Sequence, residues 1–346
     1  MQTTTRDTTI DFIKGILILF VILGHTTLGL TDLYSFDDTM NGIANVIYSF
    51  HMPCFIAVSG FLYSEYVGNA SQGIFSRIGH KAFNILLPYV MISVIYWIIK
   101  FVLSNLIREP VAVSSLISIP WKPIEFLWYL YALFLIYCMA YMADYGFSRL
   151  LPHFNYKMEL LFVLFFIIAL TCYGRFHYEG FNYIAGFQMY FYLGCLIKKW
   201  LDKLDNRYAV LSLAVMSVLV EASGIVLQDD MSSNPLFSSL FERLTACIVT
   251  VFIFAVSYCL SGYCDFPKWL QTIGRDSMPF YAMNVIFVGG IRIILDRACI
   301  TNMVLQCICG FAGSTAICWI LYECIIKKIR FINFIFYPGK QLNVRK

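Results

Sequence analysis

Residues 11–30 read DFIKGILILFVILGHTTLGL, and this stretch decides the class of fold. A mostly apolar run of about 20 residues is what an α-helix needs to cross the hydrocarbon of a bilayer. Yet it carries Lys14 and His25, and an ionisable group inside a membrane costs a few kcal/mol, so each needs a reason. The two are eleven residues apart. At about 100° per residue that is within roughly 20° of three whole turns, so both project from one face, about 16 Å apart along the axis. Asp7 and Asp11 fall on a neighbouring stripe at helical spacings of three and four. Lys14 has two readings: it snorkels to the headgroups and pairs with Asp11, or it belongs to a polar track. His25 lies too deep to snorkel inward. It is either a histidine satisfied by a carbonyl or a functional group, and a neutral imidazole is the natural general base near neutral pH.

The next apolar run contains Phe50-His51-Met52-Pro53 and then Ser59-Gly60-Phe61. Pro53 frees a backbone carbonyl one turn earlier and is expected to kink the helix. Broken helices are tolerated in membranes where they line a cavity. Running opposite to the first span, this one brings His51 near the level of His25. Two readings stay open for His51: a hydrogen bond to the freed carbonyl, or a role in a site.

The rest of the chain agrees with a membrane class. Of 346 residues, 60% are hydrophobic and only 13% charged, about half the charge of a soluble domain. So few polar side chains cannot cover a water-exposed surface. With 31 Phe, 23 Tyr and 6 Trp the chain is far too apolar for disorder. A dispersed net charge of +4 gives no reason to expect nucleic acid. The twelve cysteines lie mostly in apolar runs (Cys54, Cys138, Cys172, Cys247, Cys318) without Cys-x-x-Cys pairs. They read as small buried hydrophobes, not disulfides, and no metal site is expected.

The expected fold is an all-α integral membrane protein with about ten transmembrane helices. The spans are 11–30, 42–63, 82–104, 124–143, 160–173, 183–197, 208–227, 244–261, 278–295 and 303–326, of which 160–173 and 183–197 are short. Ten spans put both termini on one side, and 18 of the 25 Lys and Arg residues fall there. That bias makes both termini cytoplasmic and the protein a multi-pass resident of the cell (inner or plasma) membrane. The first run, interrupted by Lys14 and without a small-residue cleavage site, does not read as a signal peptide. Residues 1–346 read as a single domain, with 327–346 a short basic cytoplasmic tail. The stretches 64–81 and 108–122 read as loops.

Other polar groups stand out less. Arg77, His80 and Lys81 cluster on the cytoplasmic side ahead of Leu86-Leu87-Pro88-Tyr89, as membrane anchoring or as a grip on a phosphate. Glu221 and Arg243 read as an ion pair. Arg175, His177 and Glu179 crowd an outer loop. Asn284 and Arg292 make the ninth span polar on its outer half, and Gln188 breaks the sixth. The chain has no nucleotide-binding glycine loop and no hydrolase or zinc motif.

Taken together, Asp11-Phe-Ile-Lys14-Gly15 through Gly24-His25, Phe50-His51-Met52-Pro53 and Ser59-Gly60-Phe61-Leu62 resemble membrane-bound acyltransferase family 3, in the branch related to fucose 4-O-acetylase. Leu127-Trp128-Tyr129-Leu130 and Ile273-Gly274-Arg275-Asp276-Ser277 resemble later family segments. The likeness is sharp over residues 6–90 and diffuse beyond. Where many members have Arg-x-x-Arg before the third helix, this chain has Arg77 and then His80-Lys81, and it has Asn284 where some members have histidine. No esterase-like domain is expected after the last span.

The resemblance implies transfer of an acetyl or other small acyl group from cytoplasmic acetyl-CoA to a hydroxyl of an envelope or exported glycan. His25 and His51 become the catalytic candidates: His25 as general base, His51 to orient it or to stabilise the oxyanion. Lys14, Arg77 and Lys81 become the candidates for binding the CoA phosphates, and the extended pantetheine arm spans the 16 Å or so from Lys14 to His25. The expected partners are membrane lipid and a glycan or lipid-linked sugar acceptor, and a homo-oligomer is left open. A transporter or flippase of a glycan or small polar solute is the alternative reading. The inverted repeats common in transporters are not visible in the sequence. A non-catalytic scaffold leaves so many deep polar residues unexplained.

Overall fold

Asp7 starts the first helix. Its Oδ1 accepts the backbone amides of Thr9 at 2.9 Å and Ile10 at 3.3 Å, filling two of the donors that a helix N-terminus leaves open. From there α1 (Thr8–Thr31) runs through the whole apolar stretch. Thr26 donates to the Ile22 carbonyl at 2.8 Å and Thr27 to that of Gly24 at 3.0 Å. Neither hydroxyl carries an open donor into an apolar setting.

A computed structural model describes residues 7–31, 38–67, 73–102, 104, 113–151, 153–204, 207–226 and 234–339. After α1 come α2 (Asp38–Val67), α3 (Ile74–Lys81), a π-helical turn (Ala82–Leu86), α4 (Leu87–Val102) and α5 (Ser114–Ser118). A 3₁₀ turn (Glu125–Leu127) leads into α6 (Trp128–Leu150), then α7 (Lys157–Cys172), α8 (Glu179–Leu204) and α9 (Arg207–Val226). The chain continues with α10 (Pro235–Ser261), α11 (Lys268–Arg275), α12 (Ser277–Arg297), α13 (Met303–Leu321), a second π turn (Tyr322–Ile326) and α14 (Arg330–Phe336). Among the described residues there is no strand, as expected of an all-α protein.

Seven helical stretches among the described residues are long and apolar enough to cross a bilayer: Thr8–Thr31, Thr39–Ser64, Ile74–Val102, Trp128–Leu150, Pro235–Ser261, Ser277–Arg297 and Met303–Ile326. The chain is an all-helical, multi-pass membrane protein. The remaining three expected spans are helical but do not meet that standard. Helix α7 has 16 residues, about 24 Å of rise against a hydrocarbon core of about 30 Å. Helix α8 is long enough but is diluted by Glu179, Asn182, Gln188, Lys198 and Lys199. In α9 the apolar part is Ala209–Val220. The third span starts earlier than expected, so Arg77 and Lys81 sit on a helix and not in a loop. Gln188 does not break α8, which is continuous through it, and α2 likewise runs through Pro53. The loop expected at 108–122 contains α5, with residues 108–112 outside the described set. In the 327–346 tail, α14 is described and 340–346 are not.

The chain forms two compact units, one from Met1–Leu62 and Leu193–Ile325, the other from Tyr63–Tyr192 and Ile326–Lys346. In the first unit α1 is the central helix, packed by α10, α11, α12 and α13. Ile13, Leu17, Ile18, Val21 and Ile22 are all buried to 1% exposure or less. The tightest approach is that of α11. Phe266, just before it, stacks on Phe12 at 3.7 Å between ring centroids. A Cβ on Gly274 would run into the Asp11 carbonyl and the Gly15 amide. Small residues at such crossings let helix backbones touch, which is how helices associate in lipid. Arg275 and Asp276 follow at once: Arg275 bonds the Asp276 carboxylate at 2.9 Å, and Tyr322 donates to the same oxygen at 2.7 Å. The residues Ile273-Gly274-Arg275-Asp276-Ser277 are thus a joint that holds the later helices to α1.

In the second unit α6 is lined by α3 and the first π turn. Its buried Asp144 accepts from Tyr63 and pairs with Lys157. Tyr89 donates to the Ile119 carbonyl at 2.5 Å. Trp128 stacks on Tyr183 with centroids 5.3 Å apart, and Tyr131 bonds Tyr178.

The α1–α11 contact makes a stability prediction. Gly274→Ala forces the two backbones apart and is expected to cost about 1–3 kcal/mol, seen as a lower apparent melting temperature in detergent. Gly289→Ala on α12, where a Cβ meets nothing within 4 Å, is expected to leave melting unchanged or slightly raised. Equal melting of the two variants would contradict the packing described.

Candidate active site

Helical spacing placed Lys14 and His25 on one face of α1, and the positions between them show where that face points. The stripe runs Lys14, Ile18, Val21, His25, and both Ile18 and Val21 are 1% exposed. The track therefore faces the interior of its unit and not the surrounding lipid. Lys14 and His25 themselves are half-buried. Asp7, on the neighbouring stripe, is committed elsewhere: besides capping α1, its other carboxylate oxygen accepts from Tyr258 of α10.

His25 meets α2 through a residue that sequence reasoning passed over. The Tyr48 hydroxyl lies 3.3 Å from His25 Nδ1, with the rings edge-on at 84° and 6.3 Å between centroids. Tyr48 is also edge-on to His51, at 89° and 4.9 Å. The two histidines thus share one aromatic neighbour in the same unit. The contact is possible because α1 has glycine next door. A Cβ on Gly24 would stand only 3.2 Å from side-chain atoms of Ile47 and Tyr48. The signal was present in the spacing: Tyr48 precedes His51 by three residues, which is one helical face.

His51 is buried at 3% exposure. Its Nδ1 lies 2.6 Å from the carbonyl of Ile47, four residues earlier, and not at the Ser49 carbonyl that Pro53 leaves without an amide. A carbonyl oxygen only accepts, so Nδ1 carries a proton, and the lone pair of a neutral His51 is at Nε2. A neutral His51 can therefore accept a hydrogen bond at its second nitrogen but cannot donate one there.

Higher on α1, Arg292 of α12 donates to the Gly29 carbonyl at 2.9 Å, one turn beyond His25. Near the other end of the unit, the Lys198 ammonium sits 4.5 Å from the centroid of Phe61 in the Ser59-Gly60-Phe61 segment. Asn284, fully buried, spends its amide on the Phe280 and Tyr281 carbonyls of its own helix, at 3.0 and 2.7 Å. Arg243 is buried, and the side chain of its expected partner Glu221 lies outside the described residues.

Arg77 and Lys81 belong to the second unit. One turn apart on α3, they lie over tyrosines one turn apart on α6. Lys81 Nζ is 3.7 Å from the Tyr137 ring centroid and the Arg77 guanidinium carbon 5.5 Å from that of Tyr141. Each contact contributes about 0.5–2 kcal/mol. The π turn begins at the residue after Lys81; such insertions re-aim the helix and are frequent at functional sites. His80 is exposed and near Asn84, whose amide donates to the His80 carbonyl at 2.7 Å. Arg175 and His177 are exposed in the loop before α8, and Glu179 at its start accepts from Tyr183 at 3.3 Å.

Three comparisons bear on what this arrangement serves. A family model described as an acyltransferase domain matches residues 7–323. The nodulation protein NolL of Mesorhizobium japonicum is 31% identical over 141 residues, which is 40% of this chain and 36% of that protein. The NolL of Sinorhizobium fredii is 42% identical over 88 residues, 24% of this chain and 22% of that protein. The chain thus matches 36% of the length of the first relative and 22% of the second. No solved structure matches it. With the family model spanning from the cap of α1 to the end of α13, and the Lys14–His25 and His51 segments inside the matched region, the chain belongs to acyltransferase family 3.

Proposed function

We propose that the chain is an integral-membrane O-acyltransferase that moves an acetyl or other small acyl group from cytoplasmic acyl-CoA to a hydroxyl of a cell-envelope or exported glycan. The observation that carries this reading is the inward face of α1. A histidine held at Nδ1 by a phenol shares that face with a cation about 16 Å away along the axis, in a chain of an acyltransferase family. In this reading the helices make ten crossings of the cell membrane, counting α7, α8 and α9, with both termini in the cytoplasm. Positive charge then concentrates on the side where acyl-CoA is found.

The chemistry follows from the side chains. The acceptor hydroxyl loses its proton to His25 Nε2 as its oxygen attacks the thioester carbonyl. The carbon–sulfur bond then breaks, and the same proton passes from His25 to the departing thiolate, giving the ester and free CoA. Each proton taken is returned, so no acyl-enzyme is required. Lys14, Arg77 and Lys81 are assigned to the phosphates of the donor, where a lysine ammonium acts as a point charge and an arginine as a fork.

His25→Ala is expected to lower transfer from radiolabelled acetyl-CoA into membrane glycans by about 100-fold or more, with normal insertion and melting. Full activity in that variant would refute the base role. Lys14→Ala is expected to raise the KM for acetyl-CoA while Lys14→Arg stays mild, and Lys81→Ala to behave like Lys14→Ala. A donor KM untouched by both alanine variants would remove these cations from the donor site.

A further inference from the structure

We infer that Tyr48 is a positioning residue that holds His25 with its proton on Nδ1, so that Nε2 presents the lone pair. This role rests on His25 acting as the base.

The argument begins with hydrogen-bond inventory. A neutral imidazole has one N–H and one lone pair, and a phenol both donates and accepts. The 3.3 Å contact between Tyr48 Oη and His25 Nδ1 therefore admits two arrangements. If Tyr48 donates, the imidazole proton is on Nε2 and that nitrogen cannot take another. If Nδ1–H donates to Tyr48, Nε2 is the base. Once His25 has accepted a proton, both nitrogens carry hydrogen and Tyr48 oxygen must be the acceptor. The second arrangement is thus the one that needs no reorganisation as the proton moves. Tyr48 is then the third group behind the attacking hydroxyl and the base, with a phenol where a carboxylate is more usual.

Geometry fixes the phenol independently of that contact. The Tyr48 ring lies against α1 at Gly24, the residue before His25, where a Cβ would already crowd it at 3.2 Å. It is also edge-on to His51, which is itself tied to the Ile47 carbonyl. Tyr48 is therefore gripped between α1 and a pinned histidine of its own helix. It remains 38% exposed.

The test uses the full chain in vesicles of its own cell membrane, with radiolabelled acetyl-CoA as donor and the native glycans as acceptors. Tyr48→Phe keeps the ring and removes the hydroxyl. It is expected to lower the turnover rate by about 10-fold to 100-fold, with the donor KM within about twofold and melting within about 2 °C. Replacing Tyr48 with a ring-fluorinated tyrosine, whose oxygen is a poorer acceptor and better donor, is expected to slow transfer. Imidazole nitrogen NMR, with the His25 signal identified by its loss in His25→Gln, is expected to show Nδ1 protonated, and a mixed tautomer in Tyr48→Phe. Unchanged turnover in Tyr48→Phe, or faster transfer with the fluorinated ring, would overturn the assignment. So would loss of activity accompanied by a matching fall in melting, since that is a packing role. If His25→Ala is inert while Tyr48→Phe is fully active, the base reading survives and only the role of Tyr48 fails. If His25→Ala retains activity, the base reading itself fails.

Discussion

Inside hydrocarbon there is no water to complete a hydrogen bond, so every polar group that α1 carries has to be answered by protein. This constraint organises the first unit. Asp7 spends one oxygen on the helix amides and the other on Tyr258. Thr26 and Thr27 fold back on the helix carbonyls. The Gly29 carbonyl receives Arg292. The stripe from Lys14 to His25 has Ile18 and Val21 in its middle, both buried. A helix that only anchored a domain would turn its apolar face to lipid and its polar residues to the ends. Here the polar face is turned inward instead, and neighbouring helices approach α1 closely at Gly15, Gly24, Gly274 and Gly310.

The parts of this arrangement that were legible in the sequence are those set by helical geometry alone. Lys14 and His25 share a face because of their spacing, whatever surrounds them. Apolar length located seven of the spans. The segment Ile273-Gly274-Arg275-Asp276-Ser277 stood out as a unit, but why it matters was not visible: Gly274 is needed by the Asp11 carbonyl, more than 250 residues away in sequence. Tyr48 shows a different blindness. Its spacing to His51 was there to read, but a tyrosine in an apolar run is indistinguishable from core until its hydroxyl is placed. Arg77 and Lys81 were read as flanking a span because the apolar count begins after them. The helix begins earlier because α3 lies against α6, where Tyr137 and Tyr141 receive their charges.

The short helices mark where the apolar-length rule stops working. Length and hydropathy treat each segment as if it met lipid alone. A helix with protein on several sides does not need that much apolar surface, and α8 illustrates it: from 185 to 197 it is mostly buried, with Gln188, Tyr192 and Cys195 inside. Among its polar residues Gln188 lowers the mean while being fully buried. A count of crossings taken from apolar length is for that reason a lower figure than one that also includes a protein-lined helix such as α8.

The two histidines differ in a way that constrains what each can contribute. His51 is committed by a carbonyl to one tautomer, so its free nitrogen is an acceptor for as long as the ring is neutral. An oxyanion needs donors, and a neutral His51 has none left to offer. Of the two roles open to it from sequence, orientation is the one its tautomer permits without first charging a buried ring. His25 faces a phenol, which can accept or donate and therefore tolerates both charge states of the imidazole. Proton transfer needs such a partner: a group that gains and then loses a proton within one turnover is best held by a contact that survives both changes. By that criterion His25 on α1 suits the proposed base role better than His51 on α2, and both rings lie edge-on to Tyr48.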